Sequence, residues 1–199
     1  KGFILRGVFL GTQIEYDWLY QPNGAARFFP EYYREFIEHL PESLRSNPLA
    51  GYYQLLTSDN EIAVISASKA WCLWELRLST IEHHHIDKAC IQDSHQALCM
   101  AKISSHYFHN SCFLKNNIEE HNYIMDHLEN IIHLPSIILH GRYDMVCQLA
   151  IADLLVQHWD NAQLQILPCA GHSGFESQTI DAFCKATDTM ANFFEEQNK

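Results

Sequence analysis

Two short polar segments near the end of the chain contain the residue types of an acid–base pair. Asp144 ends the first segment and His172 lies in the second. Each segment follows an apolar run, 136–139 in the first case and 164–167 in the second. Parallel strands end at a common edge of their sheet, so an acid and a histidine at successive strand ends can meet there. Asp followed by His is the order of the last two members of a Ser-Asp-His hydrolytic triad.

In such a pair Asp144 accepts a hydrogen bond from Nδ1 of His172, and Nε2 of His172 takes a proton from a nucleophile. Each residue alone has a structural explanation, a helix cap for the acid and a loop histidine for the base, but their joint position favours catalysis. The 199 residues contain no Gly-x-Ser-x-Gly segment, so we expect the nucleophile to lie outside this chain. Ser173 adjoins the histidine too closely for the required geometry, and Cys147 and Cys169 would need activation of their own.

Glu75 is a third candidate, and it lies on the most aromatic segment of the chain. It directly follows Trp74 and comes one helical turn after Trp71. A carboxylate partly buried among indoles holds a cation well, because a low dielectric strengthens a charge-assisted hydrogen bond. The alternative is a surface glutamate whose helix buries its tryptophans in the core. The sequence leaves both interpretations open.

The order of the predicted elements indicates an α/β protein with a helical insertion. We expect residues 1–10 to form a core strand, 11–128 a helical cap and 129–199 a βαβα unit, which builds a parallel sheet. The predicted helix starts in the cap are Pro30, Pro48, Ser58 or Asp59, and Asp93 or Ser94. A polar helix is expected at 118–128, strands at 137–139 and 164–167, and helices at 149–159 and 179–194.

Composition excludes several classes of partner. The net charge of −11 argues against nucleic acid and anionic membrane surfaces, and it mildly favours a cationic small substrate. No apolar run approaches the roughly 20 residues that cross a bilayer. Seven scattered cysteines without a Cys-x-x-Cys segment indicate a reduced, cytoplasmic protein. We expect His83-His84-His85 to be a solvated loop, and we expect no metal or cofactor.

A set of motifs recurs in the order of one known family. They are Leu5-Arg6-Gly7-Val8-Phe9-Leu10, Asp17-Trp18-Leu19-Tyr20-Gln21, Leu56-Thr57-Ser58-Asp59, Lys69-Ala70-Trp71 with Trp74-Glu75, His106-Tyr107-Phe108, His140-Gly141-Arg142-Tyr143-Asp144 and Gly171-His172-Ser173. Together they resemble the proline iminopeptidases (prolyl aminopeptidases) of the α/β-hydrolase fold, over nearly the whole chain.

The resemblance implies a serine peptidase that removes N-terminal proline from small peptides. It implies that Asp144 and His172 are the acid and base of the triad, and that Glu75 binds the protonated imino group of the substrate. It further implies that Phe108 lines the pocket for the pyrrolidine ring and that Cys147 lies close to that pocket. These roles are expectations carried over from the family.

The chain departs from the family pattern in two respects. Ser104 occupies the position of a second amine-binding glutamate, so strict proline specificity is in doubt. The family's oxyanion loop and nucleophile elbow precede the strand at 3–10, where this chain begins. We therefore expect a carboxyl-terminal fragment that is inactive alone and associates through the open edge of that strand. The alternatives are a non-catalytic relic that acts as a binding module and another α/β hydrolase, such as an esterase or epoxide hydrolase.

Overall fold

The computed structural model describes residues 1–81, 93–114 and 122–197. Within these residues the chain forms two compact units. The first contains 1–10, 79–81 and 122–197, and the second contains 11–78 and 93–114. The histidine triplet at 83–85 lies outside the described residues. No helix in the described part combines the length and the apolar composition that crossing a bilayer requires.

The first unit contains a parallel sheet with helices packed against it, which confirms the predicted α/β class. Its strands are β1 (Phe3–Arg6), β2 (Ser136–Gly141) and β3 (Ala162–Leu167), in the order β1-β2-β3. The helices of the described chain are α1 (Gln13–Tyr20), α2 (Pro30–Glu38), α3 (Pro48–Leu56), α4 (Glu61–Ser79), α5 (Ser94–His109), α6 (Tyr123–Asp126), α7 (Leu149–Gln157) and α8 (Ser177–Gln197). Helices α1 to α5 account for most of the described second unit, which is helical.

Strand β2 is the central strand of the sheet, and both of its faces are covered. Ile138 points into a core that it shares with residues of α7, and Leu139 points into a core that it shares with residues of α8. Both side chains are fully buried. A strand buried on both faces has a continuous apolar sequence instead of an alternating one, as the run 136–139 does.

The first strand is shorter than predicted. It ends at Arg6, whereas the sequence analysis extended it to Leu10. The cause is Gly7, whose φ of +60° turns the backbone out of the extended conformation. Val8 and Leu10 are buried nevertheless, in the core that contains Ile138. The apolar run therefore reported burial correctly but not strand length.

Residues 122–128 belong to the first unit. Leu128 is buried in the same core as Ile138, and Ile124 and Met125 pack against that core. The helix expected at 118–128 is described only as α6, because 115–121 lie outside the described residues. The predicted cap, 11–128, included this short helix, whereas the structure groups the helix with the first unit.

The helix starts of the second unit agree with the sequence in three of four cases. Helices α2 and α3 begin with Pro30 and Pro48, and Asp93 caps α5 by accepting hydrogen bonds from two backbone amides. The prediction for α4 was wrong by one or two residues, because Asn60 is its cap instead of Ser58 or Asp59. Oδ1 of Asn60 accepts a hydrogen bond from the Ala63 amide at 3.2 Å, and asparagine is as good a cap as either alternative.

The core of the second unit is largely aromatic. An apolar stripe along α4 is buried: Val64, Ala67, Trp71, Trp74 and Leu78. Phe36 stacks on Tyr52 with ring centres 4.3 Å apart, and it also lies 5.4 Å from Trp74. Large rings supply much apolar area with few rotatable bonds, so this core fixes the position of α4.

Candidate active site

Asp144 and His172 meet beyond the carboxyl ends of β2 and β3. Nδ1 of His172 lies 3.0 Å from Oδ2 of Asp144. An ionised carboxylate can only accept hydrogen bonds, so Nδ1 carries the proton and donates. Nε2 then carries a lone pair. The imidazole is 22% exposed while the carboxylate is only 2% exposed, so the base is accessible and its acid is not.

The Asp144 carboxylate is fixed by the turn that follows it. Oδ1 accepts hydrogen bonds from the backbone amides of Val146 at 2.9 Å and Cys147 at 2.8 Å. These two bonds orient the group so that Oδ2 faces His172. Together with the imidazole bond they compensate a buried charge for its lost hydration. The carboxylate therefore acts both as a local turn former and as the partner of the histidine.

His140 is a site residue that the sequence analysis did not single out. It ends the apolar part of β2, its side chain is fully buried, and its Nε2 lies 2.9 Å from the carbonyl oxygen of Cys147. Because a carbonyl only accepts, Nε2 donates to it. The same nitrogen lies 3.6 Å from Oδ2 of Asp144. The imidazole thus hydrogen-bonds to the turn that holds the acid. In the sequence, the signal for this residue was a His-Gly pair directly after an apolar run.

Gly141 allows the loops at this edge to approach one another. A Cβ on Gly141 would lie 2.1 Å from the carbonyl oxygen of Gly171, a distance that no side chain could tolerate. The close approach lets the Tyr143 amide donate to the carbonyl of Ala170 at 3.0 Å. The loop that bears Asp144 is thereby joined to the loop that bears the histidine.

Gly7 brings the backbone after β1 against His172. A Cβ there would lie 3.0 Å from Cε1 of the imidazole and 3.9 Å from Sγ of Cys147. The left-handed φ of Gly7 also disfavours any other residue. From the sequence this glycine was expected inside the strand, whereas it follows the strand end at Arg6. A lone glycine inside an apolar run is the signal that indicated a close backbone approach.

Cys147 is buried beside the acid–base pair. Its Sγ donates to the carbonyl of Gly7 at 3.5 Å. Ligand atoms of Asp144, Cys147 and His172 lie within 4.8 Å of one another, which is the arrangement of a group that could hold a metal ion. Both oxygens of the aspartate, however, already accept hydrogen bonds from protein groups. The expected position of the Cys147 thiol close to a proline pocket remains a prediction.

Glu75 belongs to the second unit, and its side chain is buried there. Its Oε1 accepts a 2.7 Å hydrogen bond from the hydroxyl of Tyr20. The Tyr20 ring stacks on Trp71 with centres 4.8 Å apart. Burial, and next the charge of Glu75, raise the pKa of Tyr20 well above its usual range, so the hydroxyl keeps its proton and donates. Of the two interpretations that the sequence left open, the surface glutamate does not describe this side chain.

Phe108 and Ser104 lie one turn apart on α5, in the same unit. The Phe108 ring centre is 6.1 Å from that of Tyr20, whose hydroxyl donates to Glu75. Glu75 and Phe108 therefore have Tyr20 as a common neighbour. Ser104 is half-buried. The buried residues of α5 are Ala97, Ala101 and Ser105, whereas Phe108, like Ser104, is half-buried.

Comparison with known proteins identifies the relatives of the chain. No model of a known protein family matches it. It is 38% identical to "Proline iminopeptidase" of Xanthomonas citri over 191 residues, which are 94% of this chain and 58% of that protein. The chain matches the carboxyl-terminal part of the proline iminopeptidases. "Proline iminopeptidase" of Neisseria meningitidis is 32% identical over 190 residues, which cover 96% of the chain and 58% of the relative. The enzyme of that name from Arabidopsis thaliana is 33% identical over 176 residues, or 88% and 45%.

The chain therefore spans about 58% of the length of the bacterial proline iminopeptidases that it matches. Two of the motifs that carried the resemblance contact each other within the second unit. In the Trp18-Leu19-Tyr20 segment, the Leu19 carbonyl accepts from Nε1 of Trp74 at 3.0 Å, and Tyr20 donates to Glu75. The α1 motif and the α4 motif are thus hydrogen-bonded to each other.

Proposed function

We propose that this chain supplies the acid, the base and the amine-binding carboxylate of a serine peptidase that releases N-terminal proline from small peptides. The observation that supports it best is the 3.0 Å contact between Nδ1 of His172 and Oδ2 of Asp144, with the other carboxylate oxygen held by two backbone amides. The name shared by the relatives, proline iminopeptidase, supports proline as the released residue.

In this reaction a serine from outside these 199 residues attacks the carbonyl carbon of the Pro–Xaa bond. Nε2 of His172 takes the hydroxyl proton, and the Asp144 carboxylate stabilises the imidazolium that forms. The tetrahedral intermediate collapses when Nε2 gives its proton to the leaving amine. Water then repeats the sequence on the prolyl ester, with the same imidazole as base and acid, and releases proline.

Glu75 holds the protonated imino nitrogen of the substrate in this proposal. The Tyr20 hydroxyl orients the carboxylate, and burial among aromatic rings strengthens its interaction with a cation. Phe108 provides apolar surface for the pyrrolidine ring. Ser104 carries no charge where the family pattern has a second glutamate, so we expect a weaker hold on the amine and a broader choice of N-terminal residue.

We further propose a cytoplasmic location and no cofactor. The cysteines that the structure describes form no disulfide: Cys72, Cys99, Cys112, Cys147, Cys169 and Cys184. Free thiols on this scale are typical of a reducing compartment. The triad chemistry requires only side chains and water.

Hydrolysis of a prolyl arylamide by the full-length gene product tests the proposal. We expect turnover that falls by about 10³-fold or more in His172→Ala. His158→Ala is the matched control, because that imidazole is exposed and its Nδ1 contacts only Leu154 of its own helix. Unchanged turnover in His172→Ala contradicts the proposal. Faster hydrolysis of aryl esters than of prolyl arylamides indicates an esterase, and a full-length product without Gly-x-Ser-x-Gly or turnover indicates the binding module.

A further inference from the structure

Glu176 is a carboxylate that the reaction does not use, and it lies at the loop that bears His172. Its Oε2 accepts a hydrogen bond from the Gly171 amide at 2.6 Å, immediately before the histidine. Its Oε1 accepts one from the Ile81 amide at 2.9 Å. The side chain is half-buried and stands at the beginning of α8. One carboxylate therefore joins two backbone segments that are far apart in sequence.

The same two segments are joined on the other side of the histidine. The Ser173 amide donates to the carbonyl of Ser79 at 2.7 Å. The backbone is thus fastened to segment 79–81 immediately before and immediately after His172. A third bond runs from Nη1 of Arg6 to the carbonyl oxygen of His172 itself. All of these residues belong to the first unit.

The packing leaves little room for the loop to shift. A Cβ on Gly171 would lie 3.1 Å from the Ser79 carbonyl oxygen and 3.5 Å from Oε1 of Glu176. The carboxylate therefore lies close against the backbone beside the histidine. It is the only link among these three that a side-chain substitution can remove without altering the backbone or the strand β1.

We propose that Glu176 is a positioning residue for the proton-transferring histidine. Its two oxygens hold the Gly171 amide and the Ile81 amide at once, and this fixes loop 171–173 so that Nδ1 of His172 meets Asp144. The inference rests on the proposed function. It goes beyond it because Glu176 touches no reacting group and acts through the backbone of the base.

A carboxylate suits this position better than an amide does. Both backbone partners are N–H donors, and Glu176 offers an acceptor to each. Glutamine has the same shape but only one acceptor oxygen. Glu176→Gln therefore keeps one hydrogen bond and places its amide NH₂, a donor, opposite the other backbone N–H. Glu176→Ala removes both bonds. The two variants therefore form a graded series with the wild type.

Kinetics of the full-length gene product on a prolyl arylamide measures the effect. A displacement of about 1 Å at a reacting group costs on the order of 10²-fold in rate. We expect kcat to fall about 10-fold in Glu176→Gln and about 100-fold in Glu176→Ala, with KM changed by less than about 3-fold. Asp181→Asn is the control, since that exposed carboxylate on α8 pairs only with Lys185 in its own helix. It should leave kcat unchanged.

A spectroscopic measurement separates this inference from the proposed function. We expect the proton between Nδ1 of His172 and Asp144 to give a far-downfield NMR signal, which its loss in His172→Ala would assign. We expect the signal to broaden or move in Glu176→Gln and to remain in Asp181→Asn. This outcome supports the positioning role even if the wild type does not cleave prolyl arylamides. A wild-type signal and a wild-type kcat in a folded Glu176→Gln overturn it, whether or not Glu176→Ala folds.

Discussion

Replacement of Asp144 by asparagine is the sharpest test of the acid–base pair, because its two oxygens have different partners. Oδ1 accepts from the amides of Val146 and Cys147, and Oδ2 accepts from Nδ1 of His172. An amide side chain has one acceptor and one donor group. It cannot satisfy all three donors, so Asp144→Asn forces a choice between two orientations.

The structure decides which orientation wins. With its oxygen toward the two backbone amides, the new side chain keeps both of those bonds and presents its NH₂ to Nδ1 of His172. The opposite orientation leaves two N–H groups without an acceptor, at about 1–3 kcal/mol each. The first is therefore favoured, and it drives the imidazole into the tautomer with its proton on Nε2. A protonated Nε2 cannot act as the base.

The expected loss follows from this wrong tautomer. The corresponding substitution in a well-known serine protease lowers kcat about 10⁴-fold, which is about 5 kcal/mol of transition-state stabilisation. We expect kcat on a prolyl arylamide to fall by about 10³–10⁴-fold in the full-length gene product, with little change in KM. Asp153→Asn is the matched control, since Asp153 is exposed and accepts only from Gln157 on α7. A folded Asp144→Asn with kcat within tenfold of wild type refutes the reasoning.

Three further predictions concern the second unit and the sheet edge. Tyr20→Phe removes the hydroxyl that orients Glu75, at about 1 kcal/mol, so KM for prolyl arylamides should rise about 3–10-fold with kcat retained; an unchanged KM contradicts this. Burial raises the pKa of Tyr33 to about 12 and that of Tyr52 well above its usual value of about 10. These neutral hydroxyls therefore contribute fully to the free energy of unfolding below about pH 10, and the contribution declines above that pH. The last part of the tyrosinate absorbance, from the buried rings, should therefore appear together with the loss of circular dichroism, and a full tyrosinate signal from a folded protein contradicts this. The 199 residues expressed alone should associate, because β1 pairs only with β2 among the described strands; a monomer by light scattering at high concentration is the contrary result.

Much of the fold and part of the site could be predicted from local signals. Proline at the first helical position predicted the starts of α2 and α3, because its fixed φ and missing N–H suit only that end of a helix. An acid and a histidine after two apolar runs predicted a meeting that the structure places at 3.0 Å. The acid–histidine signal succeeds because parallel strands bring their carboxyl ends together, whatever the length of chain between them.

Gly7 and Glu176, whose roles the sequence did not indicate, act through contacts with distant parts of the chain. Gly7 matters because its backbone lies against the imidazole of His172. Glu176 binds amides at 171 and 81, and no periodicity or motif relates those positions. Asn60 caps α4 although Ser58 and Asp59 were equally suitable by residue type.

The sequence by itself determined which chemical groups exist and roughly where along the chain each strand and helix begins, because backbone conformation depends mainly on near neighbours. It also determined the acid and base candidates, since few residue types can transfer a proton near neutral pH. Only the tertiary structure decided that Glu75 is buried against Tyr20, that His140 supports the acid, and which oxygen of the acid faces the base. Those are distances between groups remote in sequence, and such distances are set when the whole chain packs.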